Sequence, residues 1–361
     1  MIEVADILRA HGPAYAQTHA LLPSQQRVLA DVVACRTAAC GGQLFECDHC
    51  GYTHYAYHSC KNRHCPKCHG QQTERWLERQ HPRLLPCPYY LLTFTLPQGL
   101  RALAWAHHQA VYGLLLSCAA AALQKLAWDP KYVGGQLAVL AVLHTWTRAL
   151  LYHPHAHLLV SAGGLSADGQ HWVPAKNPAF LLPCFALSKI FRGKCRAGLK
   201  RLGLVDQVDP KVWQQKWVVH CQHAGRGEKV LDYLGRYVFR VAISNSRLEA
   251  FDQGQVTFRY RDNRTQELKH VRVSAEEFIR RFFQHVLPKG FVKVRTYGLW
   301  HAHARHKLEQ ARTRLPAPQA TPTCPVAPQA APLPLPQRCP RCHAGELRWL
   351  ACLLPQRTRA P

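Results

Sequence analysis

Acidic residues are scarce in this chain of 361 residues: 21 Asp and Glu stand against 46 Lys and Arg, a formal charge of +25. Such a surplus repels other cations and attracts polyanions. Nucleic acid is the favoured partner, because phosphate neutralisation supplies most non-specific affinity. Long apolar runs are also lacking. The stretch Ala119–Leu126 is interrupted by Gln124 and Lys125 and reads as a short buried helix, which excludes a membrane span of about 20 apolar residues. The opening MIEVADILRAHGPAYAQTH lacks the apolar centre of a secretory leader. The expected compartment is therefore the cytoplasm, where thiols stay reduced. The clustering of the 16 cysteines in pairs then points to metal rather than to disulfides. No internal repeat is visible.

The strongest local signal is the pair of turns Cys47-x2-Cys50 and Cys65-x2-Cys68, embedded as CDHCGY and HCPKCH. Each turn aims two thiolates at one centre, and two turns complete a tetrahedral zinc site. Cys35, Cys60 and His64 lie near in sequence, either as ligands of a second ion or as buried thiols and a solvated histidine. Lys61, Arg63 and Lys67 alternate with the ligands and read either as DNA contacts or as a solvated basic face. A further half-site, Cys339-x2-Cys342, stands near the end with His343 and Cys352.

Two other pairs carry chemistry. In His-Pro-His-Ala-His at 153–157, residues two apart on a strand share a face, so His155 and His157 project together and suit a divalent cation. His144 and His153 are the candidates for a third ligand. In Tyr-Leu-Gly-Arg-Tyr at 233–237, residues four apart share a helical face, which puts Tyr233 and Tyr237 one turn apart beside Arg236 and Arg240. Taken alone, such a tyrosine pair is usually core or interface.

YYLLTFTL at 89–96 reads as a buried strand, and a mostly helical stretch follows it to about Leu126. Basic helices are expected over 185–204 and a further helix over Glu228–Ser244. A hairpin of 255–262 with 268–274 precedes a helix capped by Ser274 and Glu277 as a capping box. The Pro/Ala-rich stretch from Pro316 to Pro336 reads as an extended linker.

In this order, CRTAACGGQLFECDHCG with SCKNRHCPKC, then TFTLP, HTWTRALLYHPHAHLLVSAGGL, YLGRYVFRVAISNSRL and EFIRRFFQHVLPKGFVKVRTYG, the chain resembles the HUH-endonuclease transposases of rolling-circle insertion sequences, of the insertion sequence ninety-one type. The resemblance spans about residues 30–300. It implies an α+β fold whose HUH domain is a central antiparallel sheet flanked by helices. A zinc-binding module over 1–80, a catalytic domain over 81–305, a Pro/Ala-rich linker over 306–337 and a tail over 338–361 follow as the expected division.

The resemblance makes His155 and His157 the ligands of a catalytic Mg²⁺ or Mn²⁺, Tyr233 and Tyr237 the paired nucleophiles, and Cys47, Cys50, Cys65 and Cys68 ligands of structural Zn²⁺. The implied activity is nicking and rejoining of single-stranded DNA through 5′-phosphotyrosine intermediates. Trp146, Trp213 and Trp217 are candidates either for stacking on bases or for core packing. The competing readings are a replication initiator or relaxase of the same chemistry, a non-catalytic zinc-dependent DNA-binding regulator, and a metal-independent tyrosine recombinase.

Overall fold

A computed structural model describes residues 1–68, 70–177, 180–226, 242–262, 265–315 and 338–356. Helices α1 (Val4–Thr18) and α2 (Pro23–Ala34) lead into strands β1 (Gly42–Cys47) and β2 (Thr53–Tyr57), then helix α3 (Gly70–Gln80). Next come β3 (Pro88–Thr95), α4 (Arg101–Ala106), α5 (His108–Ala127), β4 (Gln136–Trp146), β5 (Tyr152–Leu165), β6 (Trp172–Pro174), α6 (Cys184–Arg201) and β7 (Val219–Arg226). The remainder comprises β8 (Leu248–Asp252), β9 (Gln255–Arg261), β10 (Leu268–Ser274), α7 (Ala275–Phe283), β11 (Val294–Gly298), α8 (Arg305–Arg314) and β12 (Leu347–Leu353). The chain is thus a mixed helix and sheet protein built on antiparallel sheets.

The largest sheet has the order β11-β4-β5-β3-β7, with β6 added to β5. Alternation along its strands explains how it is covered. Leu92 and Phe94 of β3, Leu143 of β4, and Ala156 and Leu158 of β5 point to one face, where α5 and α6 bury them under Leu115, Ala119, Leu123 and Phe191. On the opposite face Leu140, Val142 and Leu159 are covered at one end by Trp300 and Leu308. The other end of that face carries Thr93, Thr95, His144, His155 and His157 and lines an open cleft. β11 stops at Gly298, whose φ of 59° is left-handed and where a Cβ would lie 1.9 Å from the Leu137 carbonyl oxygen, so only glycine fits.

Helix α5 is the one described helix long and apolar enough to cross a membrane. Its buried Val111, Leu115, Leu116, Ala119 and Leu123 instead pack the sheet.

A second core joins distant parts of the chain. Val4, Ile7 and Leu8 of α1 and Val28 and Val32 of α2 pack with Phe258 of β9 and Phe278, Ile279 and Phe282 of α7. The hairpin β9–β10 forms in the expected register, Gln255 opposite Ser274, with β8 as its third strand. Ser274 caps α7 by accepting the Glu277 N–H at 3.2 Å, but the Glu277 carboxylate turns to Arg280 and Arg281 rather than back to the cap. The tail, expected to be a separate end piece, supplies β12 to a three-stranded sheet of order β12-β1-β2. The helix expected over Glu228–Ser244, with Tyr233 and Tyr237, falls on residues 227–241, outside the described residues; residues 242–244 are not helical.

Candidate active site

The cleft is built on the middle of the large sheet. The pairing of β4 with β5 sets His144 opposite His155, and β3 sets Thr93 opposite His157. Because His155 and His157 are two residues apart on one strand, both rings leave the same face. Their Nε2 atoms lie 3.1 Å apart. His155 Nδ1 donates to the His153 carbonyl at 2.7 Å, and His157 Nδ1 faces Thr93 Oγ1 at 3.1 Å. With Nδ1 engaged in this way, both rings turn Nε2 toward a common point. His144 completes the group, and one ring nitrogen from each of the three histidines lies within 4.8 Å of the others. His153 is diverted from it, since Arg101 donates to its Nδ1 at 2.6 Å.

Burial sets the charge of these rings. It lowers the pKa of His155 to about 4 and that of His157 to about 3, where the neighbouring His155 adds to the effect. Both are therefore neutral near pH 7 and able to ligate a cation. The cleft around them encloses about 650 Å³ and is also lined by Arg148, Arg247, His220 and Gln222. Two arginines and no carboxylate among its described lining residues give it the sign that suits a phosphodiester. His220 and Gln222 enter from β7, whose last residue, Arg226, directly precedes the segment carrying the two tyrosines.

The cysteines separate into two groups of four. Cys47 and Cys50 do not meet Cys65 and Cys68. Instead Cys65 and Cys68 converge with Cys35 and Cys60, and Cys47 and Cys50 converge with Cys339 and Cys342. The expected single site made of the two N-terminal turns is thereby corrected, because the β1–β2 hairpin carries Cys47 and Cys50 away from the end of α2, where Cys35 sits. Sulfur separations are 3.4 Å for Cys35–Cys68, 3.6 Å for Cys60–Cys68, and 3.7 Å for both Cys47–Cys342 and Cys50–Cys339. A tetrahedron with Zn–S bonds of about 2.3 Å has edges of about 3.8 Å, so both groups fit zinc. His64 is not a ligand here: its Nε2 accepts the Leu287 N–H at 3.3 Å.

Comparison with known proteins finds transposases. A family model described as "Putative transposase" matches residues 138–307, and one described as "Transposase zinc-binding domain" matches residues 7–96. A Sinorhizobium fredii protein named "Putative transposase y4qJ" is 40% identical over 96% of this chain and 94% of its own length. The chain belongs to the IS91-type transposase family. A second relative, the transposase for insertion sequence element IS801 of Pseudomonas savastanoi pv. phaseolicola, is 30% identical over 74% of this chain and 68% of its own. No solved structure matches.

This transposase thus acts on DNA and carries a zinc-binding domain, and the first four-cysteine group lies entirely within it. Of the basic residues interleaved with its ligands, Lys61 is exposed, whereas Arg63 and Lys67 are half-buried and engaged by the protein itself. Arg63 donates to the carbonyls of Phe291 and Pro288 at 2.6 and 2.8 Å, and Lys67 pairs with Glu3. Of the three tryptophans, Trp217 is core, Trp213 stacks on it at 5.7 Å, and Trp146 lines the cleft, stacked on His144 at 4.7 Å. Sequence reasoning missed Thr93, Arg148 and Arg247. Nothing local marks them, and only strand register and packing bring them to the cleft.

Proposed function

We propose that this transposase nicks and rejoins single-stranded DNA through phosphotyrosine intermediates, with Tyr233 and Tyr237 as nucleophiles and an HUH-type site at His144, His155 and His157. The observation that carries the reading is the convergence of three imidazoles, two of them kept neutral by burial, in an arginine-lined cleft of the central sheet. In the reaction a tyrosine hydroxyl gives up its proton as its oxygen attacks a backbone phosphorus, a Tyr–O–P bond forms, the P–O3′ bond breaks, and the 3′-oxygen leaves and takes up a proton. Rejoining is the reverse, with a 3′-hydroxyl attacking the phosphotyrosine and releasing the tyrosine. A bound divalent cation would supply charge stabilisation to the phosphate oxygens as the transition state forms. His155 and His157 turn Nε2 toward one point, Thr93 and the His153 carbonyl fix the ring orientation, and Arg148 and Arg247 attract the phosphate backbone. An all-imidazole ligand set suits Mn²⁺ better than Mg²⁺, which prefers oxygen.

The direct test is incubation of the full chain with labelled single-stranded ends of the element and Mn²⁺ or Mg²⁺. A covalent protein–DNA adduct that EDTA suppresses is expected. Cleavage that persists in EDTA would return the chain to the metal-independent recombinase reading, and binding without cleavage to the regulator reading.

A further inference from the structure

The first four-cysteine group falls inside the matched zinc-binding domain, but the second does not. That domain ends at residue 96, and Cys339 and Cys342 lie far beyond it. The two turns that meet there are built alike. In the first, Gly51 N–H donates to the Cys47 carbonyl at 3.1 Å and the residue after the second cysteine is left-handed, with φ 66° at Gly51. In the second, His343 N–H donates to the Cys339 carbonyl at 3.0 Å, with φ 57° at His343. The first cysteine of each turn accepts an N–H two residues on, from His49 to Cys47 Sγ and from Arg341 to Cys339 Sγ, both at 3.4 Å. N–H donors aimed at sulfur stabilise thiolates, the form that ligates metal.

The two turns also fit each other closely. Gly345 passes over the first turn so tightly that a Cβ there would lie 2.6 Å from both Cys47 Sγ and His49 Cβ. Asp48 accepts the Glu346 N–H at 2.9 Å and pairs with Arg348 at 3.2 Å. Strand β12 then runs antiparallel along β1, Cys47 opposite Leu347 and Gly42 opposite Leu353.

We infer that Cys47, Cys50, Cys339 and Cys342 bind one zinc ion and that this ion fastens the C-terminal tail onto the N-terminal module. The cross-link joins residues 289 apart and closes most of the chain into a loop, so it removes a large entropy from the unfolded chain. The inference goes beyond the strand-cleavage reading and rests on neither Tyr233, Tyr237 nor the histidines, so its test does not use adduct formation.

The experiment counts zinc per chain in the full-length protein purified without chelator. Wild type is expected to hold one ion more than Cys339→Ser/Cys342→Ser, and one ion more than a chain ending at residue 337. The truncated chain serves if the double variant fails to fold. In parallel, a protease site is inserted between residues 316 and 337 and cut. The tail piece is expected to co-elute with the rest in wild type and to separate in the Cys339→Ser/Cys342→Ser background. Equal zinc in wild type and both variants, release of the wild-type tail piece with zinc present, or its retention in the double variant would each overturn the inference.

Discussion

His144 and His155 face each other across the β4–β5 pair, their ring centroids 5.5 Å apart, so the third imidazole reaches the His155–His157 pair from the neighbouring strand rather than from the His-Pro-His run itself. His153, nearer in sequence, is held by Arg101.

Replacing His155 or His157 with Ala should therefore abolish adduct formation while leaving DNA affinity nearly unchanged, because that affinity comes from basic residues spread over the chain. Thr93→Val, which removes only the partner of His157 Nδ1, should lower metal affinity or activity by roughly 10–100-fold. Adduct assays over a Mn²⁺ titration, beside gel-shift binding, check both. Wild-type cleavage by His157→Ala would remove the site assignment.

The two tyrosines should separate chemistry from stability. Phenylalanine keeps the ring, so each single change should cost no more than a hydrogen bond, about 1 kcal/mol. The double Tyr233→Phe/Tyr237→Phe protein should fold, bind DNA and form no adduct, and each single variant should show which residue makes the first cut. Peptide mapping of the DNA-linked residue provides the check; linkage at Tyr260 or Tyr297 would reject the pair.

Arg63 should behave as a structural residue. Its two hydrogen bonds to the Phe291 and Pro288 carbonyls tie the cysteine-rich module to the segment before β11. Arg63→Ala should destabilise the protein by about 1.5–3 kcal/mol, the worth of hydrogen bonds to a charged group, with little change in DNA affinity. Urea unfolding and salt-dependent DNA binding together decide it. A large loss of affinity at unchanged stability would restore the DNA-contact reading of this residue.

Acid should weaken the fold through buried histidines. His285 is buried with Nδ1 on Thr145 Oγ1 at 3.2 Å, and burial lowers its pKa to about 3, against 6.5 for an ordinary histidine. Below pH 6.5 the unfolded chain takes up the proton first, so the stability this neutral ring contributes is complete above 6.5 and is lost as pH falls toward 3. His155 and His157 act in the same direction. His285→Gln should flatten the slope of stability against pH between 6.5 and 4, measured as the urea midpoint. An unchanged slope would show that His285 does not contribute to it.

The sequence by itself determined what local geometry fixes. Strand alternation put His155 and His157 on one face, the apolar run at 89–96 made a buried strand, and each C-x-x-C turn placed two thiols together, because these relations span only a few residues. The charge surplus required no fold to be read. Pairing between distant segments was not legible. A C-x-x-C turn specifies two ligands of four and is silent on which other turn supplies the rest, so the partition of eight cysteines depended on β12 pairing with β1 and on Cys35 ending α2. Likewise strand register selected His144 over His153, and packing turned Arg63 inward. These choices belong to the tertiary structure, because each is made by segments that meet only when the chain folds.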